Sequence, residues 1–474
     1  MTAATAHVDE QGVATDVDVV VVGSGGCGLA AALAVADTGA SVVVLEKMDT
    51  ARGNTFVSTG SIPGAGTKYQ RAAGIDDDAD RMIADLLRQS GPHEAEDLTA
   101  LLARTSASLV EWLVEEHAVG LQVITEYKHV GHSVPRLHAP ADKRGASLMK
   151  DLLAAVDKAG VDVLVGNPVT ELLVEDGRVV GVHVDGPRCG SYDLRASAVI
   201  LAANGFGNSS ELRARFLPDV VDAPYLGAEG STGEAMTWAL DLGADTANMG
   251  AFQGYAAVAD PHGSITSWTT VEQGAVLVDP AGRRMDDESV GYSGFAAVVS
   301  ASTATSWVVM DAATRDRVAG KEPEFAELVE MNGVREADTP EALAEVIGCD
   351  PATLRATLEA ASAAAAGEAE DEFGRTDWGH GPLGTPLCAV RSQPALFHTQ
   401  GGVRVDSDAR VLRADGTVVE GLYAGGGVAA GVSGQKGGAG YSSGNGLLAA
   451  IGLGRLAGAH AGRRASALDD AAVR

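Results

Sequence analysis

Apolar residues near the start of the chain come in unbroken runs rather than in alternation. Asp18 to Val22 (DVVVV) therefore reads as a strand buried on both faces of a parallel sheet. The glycine turn GSGGCG follows, then an alanine-rich helix from Leu29 to Asp37, then a second buried strand from Ser41 to Leu45 that ends in Glu46. This is a βαβ unit. Val161 to Val165, Glu171 to Val174, Val179 to Val184 and Ala198 to Ala202 read as further short strands, with Asp176-Gly177 as a hairpin turn between two of them.

The pattern changes from about Glu234 to Leu387. Helical periodicity governs Ala326 to Met331 and Pro340 to Val346, an Ala/Glu-rich helix covers Ala352 to Glu370, and a hairpin is expected around Asp279 to Gly282. Within that helix the run Ala360 to Gly367 reads as an exposed helical stretch, because alanine is the best helix former. Sheet-like sequence resumes with Gly402 to Val405 and Gly421 to Tyr423. The expected organisation is a disordered tail (1–16), a dinucleotide-binding domain in two parts (17–233 and 388–474), and an α+β capping or substrate domain inserted between them (234–387). The fold class is α/β, Rossmann-like and discontinuous.

Composition narrows the partners. At 474 residues the chain has ample material to bury a cofactor, and its apolar content of 46% holds no run long enough for a membrane span. Met1 to Asp16 lacks the basic start and apolar centre of a signal peptide, so a cytoplasmic protein is expected. A net charge of −29 without a Lys/Arg stripe argues against nucleic acid. Cys27, Cys189, Cys349 and Cys388 lie far apart, and no spaced His/Cys/Asp/Glu set suggests a metal, a disulfide framework or a haem.

Gly23, Gly25 and Gly28 form G-x-G-x-x-G between a strand and a helix, with Glu46 lying 18 residues beyond the last glycine. Gly23 permits the tight turn, Gly25 lets backbone approach a pyrophosphate, and Gly28 allows close helix packing, while the helix N-terminus attracts negative charge. Glu46 can accept from ribose hydroxyls, which disfavours a 2′-phosphate. This fingerprint alone leaves NAD and FAD both open.

Lys47 to Gly60 (KMDTARGNTFVSTG), LAANGFG at Leu201 to Gly207 and GLYAGGG at Gly421 to Gly427 decide between them. GRVVGV at Gly177 to Val182 and GSTGEAMTWALDLGAD at Gly230 to Asp245 fit the same pattern. Together they resemble the fumarate reductase/succinate dehydrogenase flavoprotein family, over nearly the whole chain. The resemblance implies non-covalent FAD and explains the insertion as a mobile capping domain. It assigns cofactor contacts to Ser24, Gly26 and Cys27 in the first turn, and to Lys47, Gly53, Asn54, Thr55, Ser58, Thr59 and Gly60 in the next segment. Val169, then Ala202, Ala203, Asn204 and Gly205, then Gly426 and Gly427, and finally Asn445, Leu447 and Leu448 complete the set. One departure stands out. The family commonly reads GLYAAGE, with the acid on the ribityl chain, whereas this chain has Gly427 there.

The chemistry departs further. The family's arginines, one beyond G-x-R-F-x-x-E and one before G-G-N-A-L, are replaced here by Tyr292 in GRRMDDESVGY and Tyr441 in YSSGNGL. A guanidinium is permanently charged and bidentate and suits a carboxylate; a phenol is neutral near pH 7 and offers one donor or, deprotonated, one base. The pair suits a ketone and resembles the arrangement of 3-ketosteroid Δ1-dehydrogenases. That resemblance implies a carbonyl polarised by Tyr441 and the Gly446 N–H, an α-proton taken by Tyr292 with Tyr127 in support, and a β-hydride passed to flavin N5. His398 in FHTQGG matches instead the fumarate reductase histidine that binds a substrate carboxylate, and a role on flavin or backbone alone stays open. A small cyclic keto acid such as 4-oxocyclohexanecarboxylate would reconcile the two. His262, His129, His132 and Lys436 are weaker candidates, each as readily a solvated residue. No NAD domain, iron–sulfur motif or haem accompanies the chain, so an external acceptor is expected: quinone-like, oxygen or protein. Two rival readings remain: a fumarate-reductase-like C=C reductase or dicarboxylate dehydrogenase, and a non-catalytic FAD-binding scaffold.

Overall fold

The computed structural model describes residues 16–125, 128–186, 190–302 and 304–472. Its first sheet is built on β1 (Asp16–Val22), which is followed by α1 (Gly26–Ala36) and β2 (Val42–Glu46). Helix α2 (Gly145–Lys158) leads to β3 (Asp162–Val165), the hairpin β4 (Val169–Glu175) and β5 (Arg178–Gly186), and then β6 (Gly190–Leu201). After the inserted region the chain returns as β11 (Arg410–Leu412) and β12 (Val418–Ala424), and ends in the helix Asn445–Ala472. The eight strands run β11-β12-β6-β1-β2-β3, with the β4–β5 hairpin attached through β5 to β6.

Register makes this sheet a site. In the parallel ladders Val22 stands beside both Leu45 and Leu201, and Ala424 beside Leu201. The four strands therefore end together, and the loops that follow them emerge along one carboxyl edge, where open α/β sheets bind ligands. β1 and β2 are buried on both faces, which is why their apolar runs are unbroken. The turn between β4 and β5 falls at Asp176 (φ 48°) and Gly177 (φ 78°), both left-handed as a two-residue hairpin of this type requires.

Helix α1 is buried along nearly its whole length between this sheet and the terminal helix. Small residues allow the approach: a Cβ on Gly454 would lie 2.3 Å from the Cys27 carbonyl oxygen, and one on Gly458 2.2 Å from that of Ala31.

The second sheet contains β7 (Gly250–Ala259), β8 (Val276–Val278), β9 (Ser306–Asp311) and β10 (Leu387–Thr399), in the order β8-β9-β10-β7, extended by the short strand Lys436–Gly437. Helix α3 (Gly291–Ala301) packs on β7. Strand β10 crosses the expected boundary at 387/388: it pairs with β9 from Leu387 to Ser392 and with β7 from Ser392 to Thr399, so one strand spans this sheet and ends beside Gly205, just beyond β6 of the first sheet. Residues Gly402–Val403 form a strand, shorter than the run to Val405. The alanine run is helical through Ala365, and of residues 360–367 Ala361 alone is buried; the preceding turns of Pro351–Ala365 bury Leu354 and Leu358 against a separate apolar cluster, because a 3.6-residue repeat turns one face inward. Among the described residues no helix is long and apolar enough to cross a membrane, and no cluster of side chains has metal-binding geometry.

Candidate active site

The glycine turn after β1 has the geometry its three glycines demand. Gly23 sits at φ 104°, with a hypothetical Cβ 2.5 Å from the Ala202 oxygen; one on Gly28 would be 1.8 Å from the Gly23 oxygen. At Gly25 the same construction meets nothing within 4 Å, so backbone is open to an approaching group there. The Ser24 N–H and hydroxyl both donate to one Glu46 oxygen (2.9 and 2.7 Å), and the Met48 N–H donates to the other (2.9 Å), which holds the carboxylate at the end of β2. Lys47 is turned away onto Thr232 and Glu234, 2.8 Å from each.

The segment from Gly53 to Gly60 folds back on this turn. Gly53 packs against Gly25, and Thr55 accepts the Gly26 N–H at 3.1 Å, with Cys27 buried beside it at the start of α1. Asn54 accepts the Ala228 N–H (2.5 Å) and donates to the Phe397 carbonyl (3.3 Å), tying three segments together. Ser58 bonds the Thr55 carbonyl and accepts the Gly60 N–H; Thr59 bonds Ser61. Val169 opens β4 close to the Glu46 end of β2, since the Asn167 N–H donates to the Glu46 carbonyl at 2.8 Å.

On the other side, Ala202 and Ala203 carry the chain out of β6 to Asn204, left-handed at φ 67°. Asn204 uses its amide on the Gly205 N–H (2.9 Å) and on Ser231 (2.7 Å). Gly426 packs on Cys27, and Gly427 faces the Gly205 nitrogen and Asn204 Oδ1, which a Cβ would approach to 2.5 and 2.6 Å. No side chain fits at 427, because Asn204 occupies its space. At the start of the terminal helix Asn445 Oδ1 and Ser442 Oγ are buried without a hydrogen-bond partner, Leu448 is buried and Leu447 half-buried. Buried polar atoms without partners are rare and ask for one. Ser442 Oγ faces Gly131, whereas open backbone at Gly25, the Glu46 carboxylate and the unpaired Asn445 Oδ1 fit an extended dinucleotide.

The tyrosines converge from different elements. Tyr292 is the second residue of α3 and Tyr441 precedes the terminal helix, yet their rings meet edge to face with centroids 6.1 Å apart. Tyr255 of β7 stacks on Tyr292 at 5.0 Å and on Phe397 at 5.7 Å, its hydroxyl accepting from the Trp268 N–H and donating to the Thr266 carbonyl. The Gly446 N–H lies 3.4 Å from the Tyr441 hydroxyl, and the His398 ring packs at 5.6 Å from the Tyr441 ring. Burial pushes the Tyr441 phenol up to about 12, the Gly446 N–H opposing the rise. Burial, helped by Tyr441 and Glu272, raises Tyr292 well above the ordinary phenol value, with Ser443 opposing. Both are neutral donors near pH 7. His398 is driven down to about 4 by burial, so it too is uncharged.

Tyr127 lies outside the described residues. His262 and Lys436 are exposed, but His132 is buried and reaches the Ser443 carbonyl at 2.8 Å. Ser443 escaped the sequence reading: its hydroxyl meets the Tyr292 hydroxyl at 3.2 Å. Its position two residues after Tyr441 was the available signal, hidden because only the tyrosine stands where an arginine is expected. Arg136, the guanidinium nearest in this chain of bonds, is spent on Asp77, Asp85 and His132.

The FAD binding domain family matches residues 18–443. The chain belongs to that family. It is an FAD-dependent oxidoreductase, as its relatives are. It is 31% identical over 94% of its length to the NADH:fumarate oxidoreductase of Klebsiella pneumoniae, of which it spans only about half, 48%. Among solved structures, the open conformation of a flavocytochrome c3 fumarate reductase aligns with a TM-score of 0.78 and 28% identity, covering 95% of this chain and 79% of that one. The 3-ketosteroid-Δ4-(5α)-dehydrogenase of Rhodococcus jostii, in complex with 4-androstene-3,17-dione, aligns with a TM-score of 0.75 and 26% identity, covering 96% and 98%.

Proposed function

We propose that this protein α,β-desaturates a compact cyclic ketone, and that a keto acid such as 4-oxocyclohexanecarboxylate uses the most polar groups of the site. The observation that carries this reading is the pair of neutral phenols, Tyr292 and Tyr441, in edge contact where charged guanidinium groups would serve a dicarboxylate. The Gly446 N–H donates to the Tyr441 hydroxyl oxygen at 3.4 Å; a carbonyl oxygen entering beside them would take over that N–H and accept the Tyr441 O–H, and the two donors would stabilise the enolate that forms when the α-carbon loses its proton. Tyr292 takes that proton. It does so as its phenolate, the phenolic proton having gone to solvent before the substrate is bound; Ser443, whose hydroxyl lies 3.2 Å from that of Tyr292, donates to the phenolate and opposes the rise in its pKa. FAD, when bound, accepts the hydride that leaves the β-carbon, which completes the C=C bond. An external acceptor, quinone-like, oxygen or protein, would be needed to take up the two electrons and complete the cycle. The aromatic wall of Tyr255, Trp268 and Phe397 keeps water from the reacting carbons and suits a ring. Similarity to a dehydrogenase that holds a steroid ketone supports the choice of substrate class.

Anaerobic mixing with 4-oxocyclohexanecarboxylate or a 3-ketosteroid tests the reading: flavin bleaching with release of the enone is expected, and a flavin that neither ketone bleaches contradicts it. A second reading, reduction of the C=C bond of a fumarate-like acid, is favoured by His398 at the site and by the names of the fumarate-reducing relatives. It predicts that such acids reoxidise chemically reduced enzyme.

A further inference from the structure

Behind the loop that carries Tyr441 and Ser443 runs a buried line of polar groups that the proposed chemistry does not use. His132 Nε2 meets the Ser443 carbonyl at 2.8 Å, and its Nδ1 meets Arg136 Nη1 at 3.0 Å. Arg136, fully buried, donates twice to Asp77 (2.8 and 2.7 Å) and once to Asp85 (3.0 Å). Asp85 in turn accepts the N–H and hydroxyl of Ser133 at 2.8 and 2.7 Å.

Donor and acceptor roles along this line admit one solution. A guanidinium only donates, so His132 Nδ1 must accept; a carbonyl only accepts, so the ring proton must sit on Nε2. An imidazolium would set its Nδ1–H against an Arg136 N–H. Burial first and Arg136 second drive the ring down to about 4, against the smaller pull of the Ser443 carbonyl, Asp85 and Asp77, and His129 is a further titratable neighbour. Ser443 is also held at its other backbone group, its N–H donating to the Val130 carbonyl at 3.0 Å. Gly131 permits this closeness, since a Cβ there would lie 2.2 Å from Ser442 Oγ.

We propose that His132 is a positioning residue: fixed by Arg136 as the neutral Nε2–H tautomer, it clamps the Ser443 peptide and so sets Tyr441 and Ser443 against Tyr292. The functional part of this proposal rests on the reading of those tyrosines given above; the tautomer does not. Glutamine at 132 can accept from Arg136 and donate to Ser443, whereas phenylalanine can do neither. In FAD-loaded enzyme His132→Phe should slow anaerobic flavin reduction about 10- to 100-fold, as small misplacements of reacting groups do. The substrate concentration at half-saturation should stay within about twofold, and His132→Gln should recover most of the rate. Ring nitrogen NMR of the wild-type holoenzyme, assigned with His132→Gln, should show a neutral Nε2–H imidazole throughout about pH 6 to 8. A ring that titrates there, or carries its proton on Nδ1, overturns the proposal even if His132→Phe fails to fold. So does a His132→Phe enzyme reducing its flavin at the wild-type rate. If instead Tyr441→Phe leaves reduction unchanged while the tautomer is found as stated, the chemical reading fails and the clamp stands.

Discussion

Tyr292 and Tyr441 are two phenols given unequal work by their surroundings. In the proposed desaturation Tyr441 has only to donate, and burial suits that role, since a pKa of about 12 keeps its proton in place. Tyr292 would have to accept, and burial opposes that. Flavin reduction should therefore quicken as pH rises above neutrality, by up to ~10-fold per unit if phenolate is the reacting form, with no loss from Tyr441 until about pH 12. A rate falling between pH 8 and 10 would contradict the assignment. Tyr441→Phe removes one oxyanion donor and should cost about 10²–10³ in the reduction rate, and Tyr292→Phe about 10²–10⁴, with FAD retained in both. The residue types were legible in the sequence because each tyrosine replaces an expected arginine. Ser443 and Tyr255 were not, since contact between α3, β7 and the 441–446 loop has no local signal.

At the scale of elements, the unbroken apolar runs of β1 and β2 identified buried strands, and the glycine fingerprint identified the turn. The long terminal helix carried a signal that went unread: Gly454, Gly458 and Gly462, four apart, form the face laid on α1, where Cβ atoms would strike Cys27, Ala31 and Thr38. Gly458→Val should destabilise the fold by about 1–3 kcal/mol through overpacking. Because α1 begins at the phosphate turn, FAD affinity should fall with it; melting temperature and flavin content measure the two effects. Strand β10 could not be assigned from sequence to either domain, for it pairs in the inserted sheet yet brings His398 against Tyr441 and Thr399 against Gly205.

For the whole molecule, buried neutral histidines tie stability to pH. His132, His138 and His398 are each lowered by burial to about 4. A depressed folded-state pKa gives stability that is complete above about pH 6.5, the unfolded value, and is lost as pH falls towards 4, at ~1.4 kcal/mol per pH unit for each group. Denaturation midpoints should accordingly fall between pH 6.5 and 4, and His138→Gln should flatten the slope; a flat profile over that range would count against burial as the cause. The central claim, that phenols in place of guanidinium groups turn this flavoprotein from acids to ketones, is tested most directly by one pair of anaerobic mixing experiments. Oxidised enzyme is mixed with 4-oxocyclohexanecarboxylate, and chemically reduced enzyme with fumarate, while flavin absorbance is followed. Bleaching by the ketone with no reoxidation by fumarate is the predicted result; reoxidation by fumarate with no bleaching by the ketone would contradict it.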